Sequence, residues 1–173
     1  MGYRRLYFLV EGYTDKKFVE EVFRSLLAGR YDHIQGWEYS KKSPQEIRKF
    51  ISSIRSMGAD FFILTDINSA VCKTSKKREL CEKWEVASLE DRMIVVVREI
   101  EGWYLAGMSE DLCRRSKVSL SSTDSLTKES FDKLVPKGRS PIDFRTEILK
   151  NYSLETAKRK NTSFGYLCKR IGI

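Results

Sequence analysis

Three apolar stretches of this chain run into a carboxylate: Leu9-Val10 into Glu11, Leu64-Thr65 into Asp66, and Val97-Arg98 into Glu99, with Glu101 close behind. If these stretches are parallel strands, their carboxyl ends share one edge of a sheet, where open α/β sheets bind ligands. Two carboxylates about 5 Å apart repel by about 3 kcal/mol at an effective dielectric near 20. A divalent cation, basic side chains or a shared proton must offset that repulsion. His33 is the only histidine, and Cys72, Cys81, Cys113 and Cys168 form no C-x-x-C pair. Zinc therefore lacks its ligand spacing, and an oxygen-only set favours Mg²⁺ or Mn²⁺. A hard cation there clamps phosphate oxygens and polarises a water or a sugar hydroxyl. The expected chemistry is a Mg²⁺-dependent reaction on a phosphodiester.

Each acid also has a structural reading. Asp15 falls in the first turn of an expected helix, where it complements the dipole, and Glu101 reads the same way. Asp66 after a strand reads as a turn former. Glu11 is harder to explain structurally, because glutamate has little turn propensity and here follows an apolar strand. Taken together, the acids favour function.

The elements that must position them follow from patterning. Arg4 to Val10 reads as a strand rich in aromatic and branched residues. Thr14 is placed to cap a helix from Asp15, with Phe18, Val19, Val22, Phe23, Leu26 and Leu27 on its apolar face. Ile34 to Tyr39 is a second, weaker strand. Ser43-Pro44-Gln45-Glu46 has the form of a capping box, opening a helix with Ile47, Phe50, Ile51 and Ile54 buried and Gly58 as its stop. Ala59 to Leu64 and Met93 to Val97 are continuous apolar runs of the kind buried on both faces. Helical sequence lies between them around Ser75 to Trp84, and a short helix follows over Ile100 to Ala106. From Met108 onward the reading is helical, with Ser109, Thr127 and Ser140 as caps and 119–125 as a loop. This alternation predicts an α/β fold: a Rossmann-like, mostly parallel four-stranded sheet flanked by helices, with a helical C-terminal extension. The whole of 1–173 reads as one domain, with an α/β core over 1–107 and the extension over 108–173.

Thirty-two basic against 24 acidic residues give a net charge of +8, with basic clusters at Lys73, Lys76, Lys77 and Arg78, at Arg114, Arg115 and Lys117, and at Lys158 to Lys160. That balance favours nucleic-acid contact without specifying it. The apolar run in Met1 to Val10 is too short for a signal-peptide core or a membrane span. A cytoplasmic protein with no membrane partner is expected. No G-x-x-x-x-G-K-[ST] pattern occurs, which excludes ATP hydrolysis by that route.

Val10-Glu11-Gly12 with Thr14-Asp15 resembles the first motif of Toprim domains, and Leu64-Thr65-Asp66-Ile67-Asn68 resembles their D-x-D motif. Arg98-Glu99-Ile100-Glu101-Gly102-Trp103-Tyr104-Leu105-Ala106 is similar to the R-E-I-E-x-W-L-L-A-D stretch of an uncharacterised Toprim-like family. That family is related to the nuclease domains of the overcoming-lysogenization-defect proteins. Thr162-Ser163-Phe164 before a last helix fits it too, so the resemblance covers nearly the whole chain.

The resemblance implies a Toprim-like fold and Mg²⁺-dependent nuclease or nucleotide-transfer chemistry on DNA or RNA, in a phage-defence setting. It makes Glu11 and Asp66 metal ligands or a general base, with Asn68 an oxygen ligand and Glu99 and Glu101 second-site metal ligands or supporting acids, Glu99 among the catalytic set. Arg98, Lys137 and Arg139 are candidate basic helpers toward phosphate, by sequence proximity alone. Asn68 stands where the second aspartate of D-x-D belongs, and Gly107 stands where relatives often carry an aspartate. Both departures lower the expected metal affinity. They support an alternative, a non-catalytic Toprim-fold module that binds nucleic acid or a partner ATPase. Trp103 is expected in the core rather than stacked on a base.

Overall fold

The computed structural model describes residues 2–173. Strand β1 (Arg5–Val10) leads into α1 (Tyr13–Leu26), β2 (His33–Glu38), α2 (Pro44–Ser56), β3 (Asp60–Asp66), α3 (Lys73–Trp84) and β4 (Met93–Val96). Helices α4 (Glu101–Ala106), α5 (Glu110–Ser116), α6 (Lys128–Leu134), α7 (Pro141–Lys150), α8 (Leu154–Lys160) and α9 (Thr162–Ile171) complete the chain. The four strands form one parallel sheet in the order β2-β1-β3-β4. The expected α/β class, its parallel four-stranded sheet and its helical C-terminal region are therefore present.

The register pairs Leu6 with Ile34 and Leu9 with Trp37 on one side of β1, and Leu6 with Asp60 and Leu9 with Ile63 on the other. Because β1 is buried between two parallel neighbours, both of its faces are apolar. Tyr7 and Leu9 join Phe61, Ile63, Ile47, Ile51, Ile54, Leu80, Cys81 and Trp84 in one core cluster. On the other face, Phe8 stacks on Phe23 of α1 at 5.1 Å. Helix α2 begins as its sequence requires: Ser43 caps the Glu46 N–H, the Glu46 carboxylate returns to the Ser43 N–H at 2.8 Å, and Pro44 follows the cap. Gly58 ends it with φ of +61°, the left-handed turn that glycine takes without a Cβ clash.

Some boundaries shift for local reasons. Gly12, not Thr14, caps α1: its extended backbone starts the helix earlier, and Asp15 accepts the Gly12 N–H at 2.9 Å. Asp15 lies in the first turn, as read from the sequence, and this capping bond is a further structural role for it. Strand β3 runs on through Asp66, so this acid is itself the last strand residue.

The chain forms two compact units, Met1–Val95 and Val96–Ile173, so residues 96–107 belong with the helical extension. The second unit is built on α4, whose six residues are all buried. Trp103 is fully buried, as expected of a core residue; it lies edge-on to Phe164 and donates its indole N–H to Ser163 Oγ at 2.8 Å. Ser163 also accepts the Val97 N–H at 3.2 Å, so the Thr162-Ser163-Phe164 segment ties α9 to the residues before α4. Gly102 allows close packing, since a Cβ there would lie 2.8 Å from the Thr123 carbonyl oxygen. Ser109, Thr127 and Ser140 each cap the helix that follows them, as their sequence positions predict.

Candidate functional site

Strand order decides where a ligand has room. The chain leaves β1 for β2 on one side and returns to β3 on the other, so the crossovers diverge between the carboxyl ends of β1 and β3. Such a switch point opens the crevice in which doubly wound sheets bind ligands. Glu11 follows the last residue of β1, and Asp66 ends β3. Two of the expected acids therefore sit at this crevice, placed by parallel pairing alone.

Hydrogen bonds fix Glu11 there. Its Oε1 accepts the Asp66 backbone N–H at 3.0 Å and the Thr65 hydroxyl at 3.0 Å, and lies 3.3 Å from the Tyr39 hydroxyl. Among the described residues no hydrogen bond is made to its Oε2, so the anchoring falls on one oxygen. Asp66 presents an Oδ1 closed off from solvent. The Tyr39 hydroxyl also lies 3.0 Å from the Leu64 carbonyl oxygen. Burial, then the charge of Glu11, pushes this phenol well above its ordinary range, so it stays a proton donor; Asp15 and Asp66 act on it in the same sense. Tyr39 was not among the expected site residues. Its signal was available, because it directly follows β2 and strand polarity carries it to the same edge.

Asn68 lies just beyond β3 at φ of +47°, in a turn closed by the Ala70 N–H to the Ile67 carbonyl at 3.1 Å. Asparagine tolerates this left-handed backbone better than most residues, a local reason for it here. Asn68 and Glu11 line one pocket of about 180 Å³, with Lys42, Lys76, Lys83 and Trp84 among its other walls.

The remaining expected residues belong to the second unit. Glu99 accepts the N–H of Lys128 at the start of α6. Glu101 is buried and pairs with Arg145 at 2.8 Å, and that guanidinium lies 4.5 Å from the centre of the Phe131 ring. Both acids thus have partners of their own. Arg98 is exposed at φ of +64°, and Lys137 is exposed in the loop before α7. Arg139 pairs with Glu147, which Arg115 also reaches at 3.1 Å. Gly107 is required by packing: a Cβ there would lie 2.1 Å from the Tyr152 ring, so the position has no room for the aspartate of the related pattern.

Among the described residues, no group of three or more His, Cys, Asp or Glu side chains forms a ready cation cage. Glu11 and Asp66 at the strand ends and Asn68 just beyond β3 are the residues that could hold a cation here; Mg²⁺ takes one or two protein carboxylates and completes its shell with water and substrate phosphate. The four cysteines are unbridged, and no helix among the described residues is long and apolar enough to cross a membrane. No family model, curated protein or solved structure matches this chain.

Proposed function

We propose that the chain carries out Mg²⁺- or Mn²⁺-dependent phosphodiester chemistry on nucleic acid, as a nuclease or a nucleotide-transferring enzyme of the Toprim-like kind. The observation that supports this most is the anchored Glu11 carboxylate, hydrogen-bonded to the backbone of Asp66 at the β1/β3 switch point. Glu11 and Asp66 would hold the cation, with Asn68 beside them. A bound divalent cation supplies charge for phosphate oxygens and lowers the pKa of a coordinated water. The protein's share is positioning. Glu11 keeps one oxygen fixed by the Asp66 N–H and the Thr65 hydroxyl, and the nearby Tyr39 hydroxyl keeps its proton. The net charge of +8 favours approach of a polyanion. A cytoplasmic phage-defence role beside a partner ATPase is the setting that the resemblance to the Toprim-like family implies.

The test is cleavage of plasmid, single-stranded DNA and RNA with Mg²⁺ or Mn²⁺, comparing wild type with Glu11→Gln and Asp66→Asn. Activity is expected only with metal and is lost in both variants. Cleavage that survives both substitutions removes these acids from the mechanism.

A second reading, a non-catalytic module that binds nucleic acid or a partner protein, draws on the engagement of Glu99 and Glu101 by Lys128 and Arg145. Calorimetry separates the two. No heat of Mn²⁺ binding to the free protein or its DNA complex, alongside salt-sensitive DNA binding, favours the module.

A further inference from the structure

The pocket of about 180 Å³ that Glu11 and Asn68 share has a second character. Its remaining walls come from Tyr39 and Ser40, from Lys42 and Ile47 beside and on α2, and from Lys76, Glu79, Leu80, Lys83 and Trp84 on α3. Three ammonium groups face two carboxylates. Lys76 is the unusual one. Only 9% of its side chain is exposed, yet its ion-pair partner Glu79 is 58% exposed and stands 3.6 Å away. The Lys76 stem is packed away and its ammonium is left at the pocket wall, where a loose contact to a solvated carboxylate one helical turn away is worth little. Lys42 has a similar exposed contact to Glu46 at 3.6 Å, and Lys83 forms no ion pair among the described residues. The pocket therefore holds more positive charge than its own acids neutralise, and a bound anion would relieve this.

Size and shape narrow the choice of anion. Sites that enclose a whole small molecule occupy about 300–1,000 Å³. This pocket is smaller, so it takes an end group while the rest of the ligand lies outside. A phosphate monoester carries about −1.5 to −2 charge at neutral pH and three strong acceptor oxygens. An internal diester carries a single charge and must leave the pocket on two sides. Resting on the nucleic-acid reading only for what bears the phosphate, we propose that the pocket walled by Lys42, Lys76 and Lys83 binds the terminal phosphate of a nucleic-acid strand. Lys76 anchors that phosphate from the buried side, and the two exposed lysines close over its remaining oxygens. Glu11 and Asn68 form the wall facing the switch point, so a strand held by its end would present its neighbouring linkages to the crevice.

The experiment compares labelled single strands that differ only in a terminal phosphate or hydroxyl, measured by fluorescence anisotropy with EDTA present at physiological ionic strength. Charge-assisted hydrogen bonds to a dianion predict a preference for the phosphorylated end of about tenfold or more. Lys76→Gln is expected to abolish the preference, and so is the Lys42→Gln, Lys83→Gln double variant, whose sites are exposed and whose folding circular dichroism checks. Lys73→Gln, an exposed lysine outside the pocket, keeps it. Equal affinity for both ends in wild type overturns the assignment, as does a preference that survives in the folded double variant. Cleavage of the same strands with Mn²⁺ is scored separately. Cutting without end preference leaves the catalytic reading standing and removes this one. Lysine-dependent phosphate binding without cutting does the reverse.

Discussion

The Glu11 Oε1 accepts the backbone N–H of Asp66 at 3.0 Å, so the acid after β1 is held by the strand end that carries the second acid. The same oxygen takes the Thr65 hydroxyl and lies near the Tyr39 hydroxyl, which joins the ends of three neighbouring strands through one carboxylate. Glu11 is therefore a structural tie as well as a candidate ligand. Glu11→Ala should cost about 2 kcal/mol, the usual worth of hydrogen bonds to a charged acceptor. Glu11→Gln keeps an acceptor oxygen and should cost less, while removing the charge proposed to hold the cation. Urea denaturation gives both values. An Ala variant as stable as wild type would show that the Asp66 N–H and the Thr65 hydroxyl find other acceptors.

The Glu101–Arg145 pair makes the opposite prediction. Its side chains are 8% and 11% exposed, and the Arg145 Nε is buried with no hydrogen-bond partner among the described residues. Removing either charge strands the other in the core at a cost of about 3–5 kcal/mol, whereas apolar replacement of both together is much better tolerated. Glu101→Leu and Arg145→Met should each lower the unfolding midpoint strongly, and the double variant should recover most of the loss. A double variant as unstable as the sum of the singles would mean the two groups are not coupled. Because Glu101 already has its countercharge, Glu101→Gln should leave Mn²⁺ affinity unchanged.

What could be read in the sequence depended on how local the cause was. The continuous runs of β1, β3 and β4 and the Ser43 capping box were legible, since each is specified by adjacent residues. Parallel polarity then brought Glu11 and Asp66 to one edge without further information. Glu101 was different: it reads as an acid just after a strand, and its partner Arg145 is 44 residues away. Lys76 likewise looks like part of a solvated basic run until α3 turns it inward. Thr14 lost the cap of α1 because the Asp15 side chain already satisfies the Gly12 N–H, a competition between neighbours that spacing rules do not rank.

Gly107 tests a local cause of another kind. Its φ of −93° is ordinary, so the position needs glycine for space and not for backbone freedom. The ring it faces is fixed by a bond from the Tyr152 hydroxyl to the Trp103 carbonyl oxygen at 2.7 Å. Gly107→Ala should cost about 1–3 kcal/mol through overpacking, and Gly107→Asp more, with a buried charge added. Thermal unfolding of both measures this. A Gly107→Asp protein as stable as wild type would show that the Tyr152 ring gives way to a side chain there.

The cysteines give the pH dependence its sign. Cys72 is exposed at the start of α3, and the Ser75 backbone N–H, with lesser help from the Ser75 side chain and Arg78, draws its thiol pKa below the ordinary value. Cys168 is buried, and that burial pushes its thiol up to about 12. Thiolate is the reacting form. A disulfide reagent should therefore modify Cys72 first in the native protein, with a midpoint below the free-thiol value of about 8.5. Cys72→Ala should remove that fast phase. Cys168 should react only on unfolding. For stability the two shifts have opposite signs. The folded state holds the Cys168 proton more tightly than the unfolded chain, so its contribution is complete below the free-thiol pKa and is lost as pH rises from there toward 12. The Cys72 contribution appears only above its lowered folded pKa and grows up to the free-thiol value. Cys168→Ala should therefore flatten the alkaline fall in thermal stability, judged against the same variant at neutral pH. An identical slope in wild type and variant would assign that fall to other groups, among them the buried phenols of Tyr39 and Tyr152, which burial also pushes upward.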